Sequence, residues 1–189
     1  MKKVLFISFQ DFHNIFDGGS LANRRNVEMA VNVLGKENVD CFFINDNRKK
    51  NSIVSMLQSA ILFPFGYFYG LTPGKIRTII NMANKYDYIF INTSILGIIS
   101  KKLKKHGYKG IIINFFHNVE SHYYEARVSK KFPLRKIVID CAAKNDRYSI
   151  DYSDKSVGLC MRDSNIIQSL YGKPFDNIIP ITFEDKCTG

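Results

Sequence analysis

Lys3-Val4-Leu5-Phe6-Ile7-Ser8-Phe9, then Asp17-Gly18-Gly19-Ser20, then Leu21 to Leu34: the reading of this stretch decides the fold. Val4 to Phe9 is a short, almost unbroken apolar run, the pattern of a strand buried on both faces. Gln10 to Phe16 is polar and aromatic and reads as a loop. Asp17-Gly18-Gly19-Ser20 predicts a tight turn, with Ser20 as the cap of the helix that follows. In that helix Val27, Ala30, Val31 and Leu34 recur at i, i+3, i+4 and i+7 as one apolar stripe, and Gly35 closes it. A strand, a Gly-rich turn and a helix N-terminus form an anion site, because backbone N–H groups point outward and residues without Cβ let a phosphate approach. The pair is not G-x-G-x-x-G, so Gly18-Gly19 also reads simply as a turn.

Outward from this unit the same alternation repeats. Val39-Asp40-Cys41-Phe42-Phe43-Ile44, Tyr88-Ile89-Phe90-Ile91, Gly110 to Phe116, Lys155 to Cys160 and Asn177 to Pro180 read as further strands. Between them lie helical patterns. Ser52 to Leu62 reads as a short helix, and Thr72-Pro73 supplies a cap and a first-position proline for a stripe of Ile76, Ile79, Ile80 and Ala83. Ile95 to Lys105 turns Ile95, Ile98, Ile99 and Leu103 inward and lysines outward. Pro133 opens a helix bearing Leu134, Ile137, Val138, Cys141 and Ala142, and Asp163 caps one bearing Ile166, Ile167 and Leu170. Strands alternating with helices argue βαβ units: a three-layer α/β/α Rossmann-like domain with a mostly parallel sheet, covering residues 1–181. Residues 182–189 read as the start of a linker or tail.

Phe63-Pro64-Phe65-Gly66-Tyr67-Phe68-Tyr69 has no clear period. It reads as a loop packed on the core by its rings, or as an aromatic surface that meets a membrane or an acceptor beside Arg48, Lys49 and Lys50.

The 189 residues are 46% hydrophobic, enough for one good core. No run reaches the roughly 18 apolar residues of a membrane span. The apolar run after Lys2-Lys3 stops at Gln10-Asp11 and lacks a cleavage site, so it is the first strand rather than a signal peptide. Cys41, Cys141, Cys160 and Cys187 include no C-x-x-C pair, the usage of a reduced, cytoplasmic protein without a zinc site. The net charge of +10 points to a negatively charged partner: nucleic acid, anionic lipid or a phosphorylated substrate.

His117-Asn118-Val119-Glu120 follows the fourth strand directly, where open α/β sheets place their ligands. His117 reads as a ligand-facing side chain or as a satisfied histidine at a strand end, and Glu120 as a functional acid or as a residue favouring a helix N-terminus. His13, His106 and His122 have no metal-ligand spacing.

Taken together, four segments resemble the N-terminal, acceptor-side half of GT-B glycosyltransferases, in particular the large retaining group numbered four. They are the strand with Asp-Gly-Gly-Ser and a helix bearing Arg24 and Arg25; Asp87 to Ser94; Phe116-His117-Asn118-Val119-Glu120; and the run from the Asp163 helix through Tyr171-Gly172 to Ile178-Ile179-Pro180. Such enzymes are about two of these domains long, and the second domain holds most of the nucleotide-sugar. The resemblance implies transfer from a UDP- or GDP-sugar to a glycan or lipid-linked acceptor in surface polysaccharide synthesis, with retention and without a dedicated metal in this domain. It implies His117 as catalytic, Gly18, Gly19 and Ser20 at the donor phosphates, and Arg24, Arg25, Asn118 and Glu120 as acceptor-side or supporting residues. The implied partners are a C-terminal GT-B domain, the acceptor and an anionic membrane surface at the inner face of the plasma membrane; no tightly bound cofactor is expected.

Two other classes stay open. One is a stand-alone small Rossmann-like nucleotide-binding protein, although no acidic residue sits at a ribose-binding position after the second strand. The other is a basic nucleic-acid-binding module; basic and aromatic residues are not interleaved on one sheet face, so no nucleic acid is expected.

Overall fold

The computed structural model describes residues 2–11, 18–45 and 61–180. Six parallel strands form one sheet: β1 (Val4–Gln10), β2 (Val39–Asn45), β3 (Tyr88–Ile91), β4 (Ile111–Phe116), β5 (Lys155–Gly158) and β6 (Asn177–Ile178), in the order β2-β1-β3-β4-β5-β6. The described helices are α1 (Gly18–Leu34), α2 (Pro73–Ala83), α3 (Gly97–Lys105), α4 (Glu120–Arg127), α5 (Arg135–Tyr152) and α6 (Met161–Tyr171). Val4 pairs with both Val39 and Tyr88, so β1 sits inside the sheet, and its apolar run is buried on both sides.

The chain steps outward once, from β1 to β2, then crosses back over β1 to β3 and continues in one direction. Right-handed crossovers place the helix of the first step on one face and those of the later steps on the other. The packing agrees. Leu5, Ile7, Ile89, Ile91 and Ile112 meet Ile76 and Ile79 of α2, Ile98 and Ile99 of α3 and Val138 and Ala142 of α5 in the main core. Helix α6 joins the same side, where Ile167 packs with Phe116 and Ile150 and the Tyr171 hydroxyl donates to Ala143 O at 3.3 Å. The opposite face carries α1. There Val4, Phe6, Phe90, Ile113, Phe115 and Val157 line an apolar groove of about 390 Å³. The stripe expected on α1 is correspondingly only half-buried, and Met29 and Val33 are exposed, because no second helix of the described residues packs beside α1 to cover them.

Three acids at strand entrances lock the register. Asp87 accepts from Lys3 N, Asp154 from Ile112 N and Asp176 from Ser156 N, each at 2.8 Å. Asp87 thus ties β3 to β1 at the edge away from the strands' carboxyl ends. Close packing of α3 on α5 depends on Gly97: a Cβ there would collide with Asn145 O and Ser149 Oγ.

Several local expectations shift. Helix α1 begins at Gly18, so Ser20 lies buried in its first turn rather than capping it, and Gly18-Gly19 is the helix start rather than a turn before it. Helix α6 begins at Met161 after Cys160, which leaves Asp163 inside the first turn, where a carboxylate still complements the helix dipole. Helix α5 begins at Arg135, two residues beyond Pro133. Ser94–Leu96 forms a 3-10 turn before α3 because the Thr93 hydroxyl accepts from Ile95 N. Strands β5 and β6 end at Gly158 and Ile178. Thr72 does cap α2, accepting from Lys75 N at 3.3 Å, and Gly35 closes α1 with φ +85. Gln10, expected in the loop, ends β1; the rest of that loop from residue 12, the Ser52–Leu62 helix through residue 60, Arg48 to Lys50 and the chain from 181 on lie outside the described residues.

The aromatic stretch divides. Phe63 and Phe68 are core residues, with the Phe68 ring tilted against Tyr124 of α4 at 5.0 Å between centroids. Phe65 remains 66% exposed. The rings therefore pack this loop onto the sheet, with Phe65 left outside and Tyr69 at the surface.

Candidate functional site

An open parallel sheet offers its ligand crevice at the carboxyl ends of the strands, where neighbouring crossovers leave in opposite directions. Here that point lies between β1 and β3, since α1 leaves to one face and α3 to the other. A cleft of about 240 Å³ opens there, and Gly19, Ser20, Asn23, Asn92, Thr93, His117, Asn118 and Glu120 are among its lining residues. Chain segments far apart in sequence meet in it because every one of them follows the carboxyl end of a strand.

The N-terminus of α1 supplies the first wall. The first amides of a helix have no partner within the helix, and the macrodipole adds partial positive charge. Gly19 and Ser20 line the cleft; Gly18 is exposed at its rim and does not line it. The second wall is the His117 loop. His117 Nε2 lies 2.9 Å from Asn23 Oδ1, while Asn23 Nδ2 donates to Ser8 Oγ at 3.3 Å. With the amide held by Ser8, its oxygen faces the ring, so His117 donates from Nε2. The ring also packs edge-on to Phe115 at 5.0 Å. Asn23 was not legible as a site residue: a lone Asn in the first turns of a helix is commonplace, and only the sheet order brings it to His117.

The floor is acidic. Glu120 opens α4, is 7% exposed, and accepts from Thr93 Oγ1 at 3.3 Å. Beneath it, Asp146 of α5 accepts from Ser94 Oγ at 2.7 Å and from Ser121 N at 2.9 Å. Burial and the charge of Asp146 push the Glu120 carboxyl up to about 8. Asp146 is pushed up to about 6 by burial, opposed by its hydrogen bonds. Asp146 gave no sequence signal, since an acid within a helical stripe usually lies on its solvent side. The Asn92 amide nitrogen is buried beside the cleft without a partner among the described residues.

Arg24 and Arg25 do not line the cleft. Arg25 donates to Pro180 O at 3.2 Å and to Asn26 Oδ1 at 3.2 Å, so it secures the end of β6 to α1. Asn118 is an exposed part of the lining. Among the described residues no group of three or more His, Cys, Asp or Glu side chains could hold a metal ion. No described helix is long and apolar enough to cross a membrane.

No family profile and no curated protein matches the chain. Solved structures with a similar fold include UGT89C1 of Arabidopsis thaliana, in complex with UDP-L-rhamnose, at TM-score 0.48 and 11% identity over 96% of this chain. The chain spans 52% of that protein's length. An azoreductase from Bacillus anthracis str. Sterne is similar at TM-score 0.41 and 13% identity, over 91% of this chain and 96% of that one. The azoreductase AzrA is similar at TM-score 0.38 and 10% identity, over 90% and 93%.

Proposed function

We propose that this chain is the acceptor-side domain of a GT-B glycosyltransferase of the retaining group numbered four, moving a sugar from a UDP- or GDP-sugar to a glycan or lipid-linked acceptor of a surface polysaccharide. The observation that carries the reading is the cleft itself: first-turn amides of α1 and an oriented His117 face one another at the carboxyl edge of the sheet. Sugar transfer needs a stabilised diphosphate leaving group and a positioned acceptor. In this reading the Gly19 and Ser20 amides meet the diphosphate, with Gly18 at the rim. His117, fixed by Asn23, hydrogen-bonds the donor sugar beside the reacting carbon. Asn118 and Arg24 lie on the acceptor side, and Glu120 supports the floor. A second GT-B domain supplies the larger part of the donor site. The protein works in the cytoplasm, at the inner face of the plasma membrane.

Calorimetric titration of the chain with UDP, GDP and their sugars, beside a dinucleotide and an oligonucleotide, tests this reading. Preference for a nucleoside diphosphate or its sugar supports it, and a preference for the oligonucleotide overturns it. The stand-alone nucleotide-binding reading shares the cleft and is favoured by the strand order, whose switch point suits a mononucleotide phosphate. It is separated by turnover: this chain alone is expected to transfer no sugar, and His117→Ala in the two-domain enzyme is expected to lower transfer by about two to four orders of magnitude.

A further inference from the structure

The two carboxyls under the cleft are unequally supplied with donors. Asp146 is fully buried and holds the Ser94 hydroxyl and the Ser121 amide, with the Glu120 amide adding a further favourable contribution. These amides belong to the first turn of α4, which favours a negative charge placed there. Glu120 has one hydrogen bond to its carboxyl among the described residues, from Thr93. Asp146 bonds the amide of the residue next to Glu120, and two buried acids at one helix start do not both ionise readily, so the charge settles on the better-supplied one. No salt bridge from a Lys or Arg reaches either of them among the described residues. The titratable groups around Glu120 are Asp146 on α5, Tyr123 and Tyr124 on its own helix, and His117 across the cleft. Tyr171 of α6 feels the charges of both Asp146 and Arg147, and Cys141 lies beside Tyr124.

We infer that Glu120 stands in the cleft as a neutral carboxylic acid, kept protonated by its own burial and by the charge of Asp146 beneath it, and donates a hydrogen bond to a phosphate oxygen of the bound nucleotide. The inference rests on the reading of this cleft as a nucleotide-sugar site. It answers a difficulty in that reading: an ionised glutamate lining the same small cleft as the α1 amides would repel a diphosphate, whereas a protonated one adds a donor. The upward displacement of the Glu120 carboxyl, by burial first and Asp146 second, agrees with the geometry. Tyr124 and Tyr171 are both displaced upward by burial and stay neutral in the range concerned.

The test needs no ligand for its first arm. Chain labelled with ¹³C at the glutamate side-chain carboxyls is titrated by NMR, with Glu120→Gln identifying the Glu120 resonance. The expected midpoint is near 8, falling by about one unit or more in Asp146→Asn. A wild-type midpoint below about 5 overturns the inference even if Asp146→Asn fails to fold. In the second arm, UDP and GDP binding is measured between about pH 7.5 and 9.5, above the usual histidine range. Wild-type affinity is expected to fall about tenfold across this range and the Glu120→Gln affinity to stay level; an equal fall in both overturns the donor role. Failure of both nucleotides to bind at any pH overturns the donor-site reading instead, and the carboxyl titration still decides the protonation of Glu120.

Discussion

Asn23 on α1 and His117 after β4, 94 residues apart, share a 2.9 Å hydrogen bond across the mouth of the cleft. The pair joins the first crossover of the fold to the fourth strand, so the orientation of the imidazole is set by the sheet order rather than by its own loop. Asn23→Asp places a carboxylate against the ring and should raise the His117 pKa, because an opposite charge favours the imidazolium. Asn23→Ala should leave the fold intact, release the ring and lower transfer by the two-domain enzyme by about tenfold or more, within the range of an acid–base contribution. The histidine C2 proton, followed by NMR against pH, reads the first effect. An unchanged His117 titration in Asn23→Asp would show that the contact does not persist in solution.

The buried acids make stability depend on pH in a direction opposite to that of a salt-bridged carboxylate. The Glu120 carboxyl is raised from 4.5 to about 8, so between these values the folded chain holds a proton that the unfolded chain has released. Stability is therefore lost as pH rises through that window, and Asp146 adds a smaller loss between its ordinary value and about 6. Glu120→Gln removes the larger loss. It should raise the melting temperature at pH 8 or above, by the equivalent of a few kcal/mol at most, and change little near pH 4. A variant melting alike at both pH values, relative to wild type, would show that Glu120 ionises freely in the fold.

Gly97 has a packing role that can be tested apart from the site. A methyl group there meets backbone Asn145 O, which cannot swing aside, and Asn145 itself donates to Gly66 O and accepts from Ile98 N. Gly97→Ala should therefore cost about 1–3 kcal/mol despite the better helix propensity of alanine. Chemical denaturation measures it. A neutral or stabilising result would mean that α3 and α5 are not in contact at Gly97.

These cases show which parts of the chain were legible in advance. The strands were, because β1 is buried on both faces, β3 and β4 bury one face fully and the other in part, and their apolar runs are almost continuous. The inward residues of α2, α3 and α5 were legible from spacing, since three helices pack side by side over one face. The stripe of α1 was legible as a pattern but not as a degree of burial, which depends on how many helices share its face. Helix starts were displaced by two or three residues at Arg135 and Met161, where no side chain caps the helix. Gly19, His117 and Glu120 stand out locally by type and position. Asn23 and Asp146 acquire meaning only once distant segments are brought together, and no local spacing encodes that.

The last prediction concerns the +10 charge and the membrane. The sequence turns the lysines of α3 outward from its apolar stripe. In the fold Lys101 lies 3.9 Å over the Tyr148 ring and Lys104 bonds Asp154 at 2.8 Å, the same carboxylate that holds Ile112 N. Lys104→Glu would disturb the β4 entrance rather than report on lipid. A better surface flanks α5: Lys144 holds the Phe65 turn through Pro64 O at 2.7 Å, and Arg135 holds the end of α4 through Glu125 O at 2.8 Å. Phe65 is 66% exposed, Phe132 39%, and the exposed Lys130 and Lys131 precede Phe132 in the chain. Each lysine near an anionic surface adds about 1 kcal/mol, screened beyond a Debye length, while an inserted ring adds attraction that salt does not screen. Lys130→Glu with Lys131→Glu should abolish the salt-sensitive part of binding to anionic vesicles. Phe65→Ser should weaken binding equally at low and high salt. Sedimentation with anionic and neutral vesicles measures both, and equal binding to the two vesicle types would assign the charge to solubility rather than to a membrane.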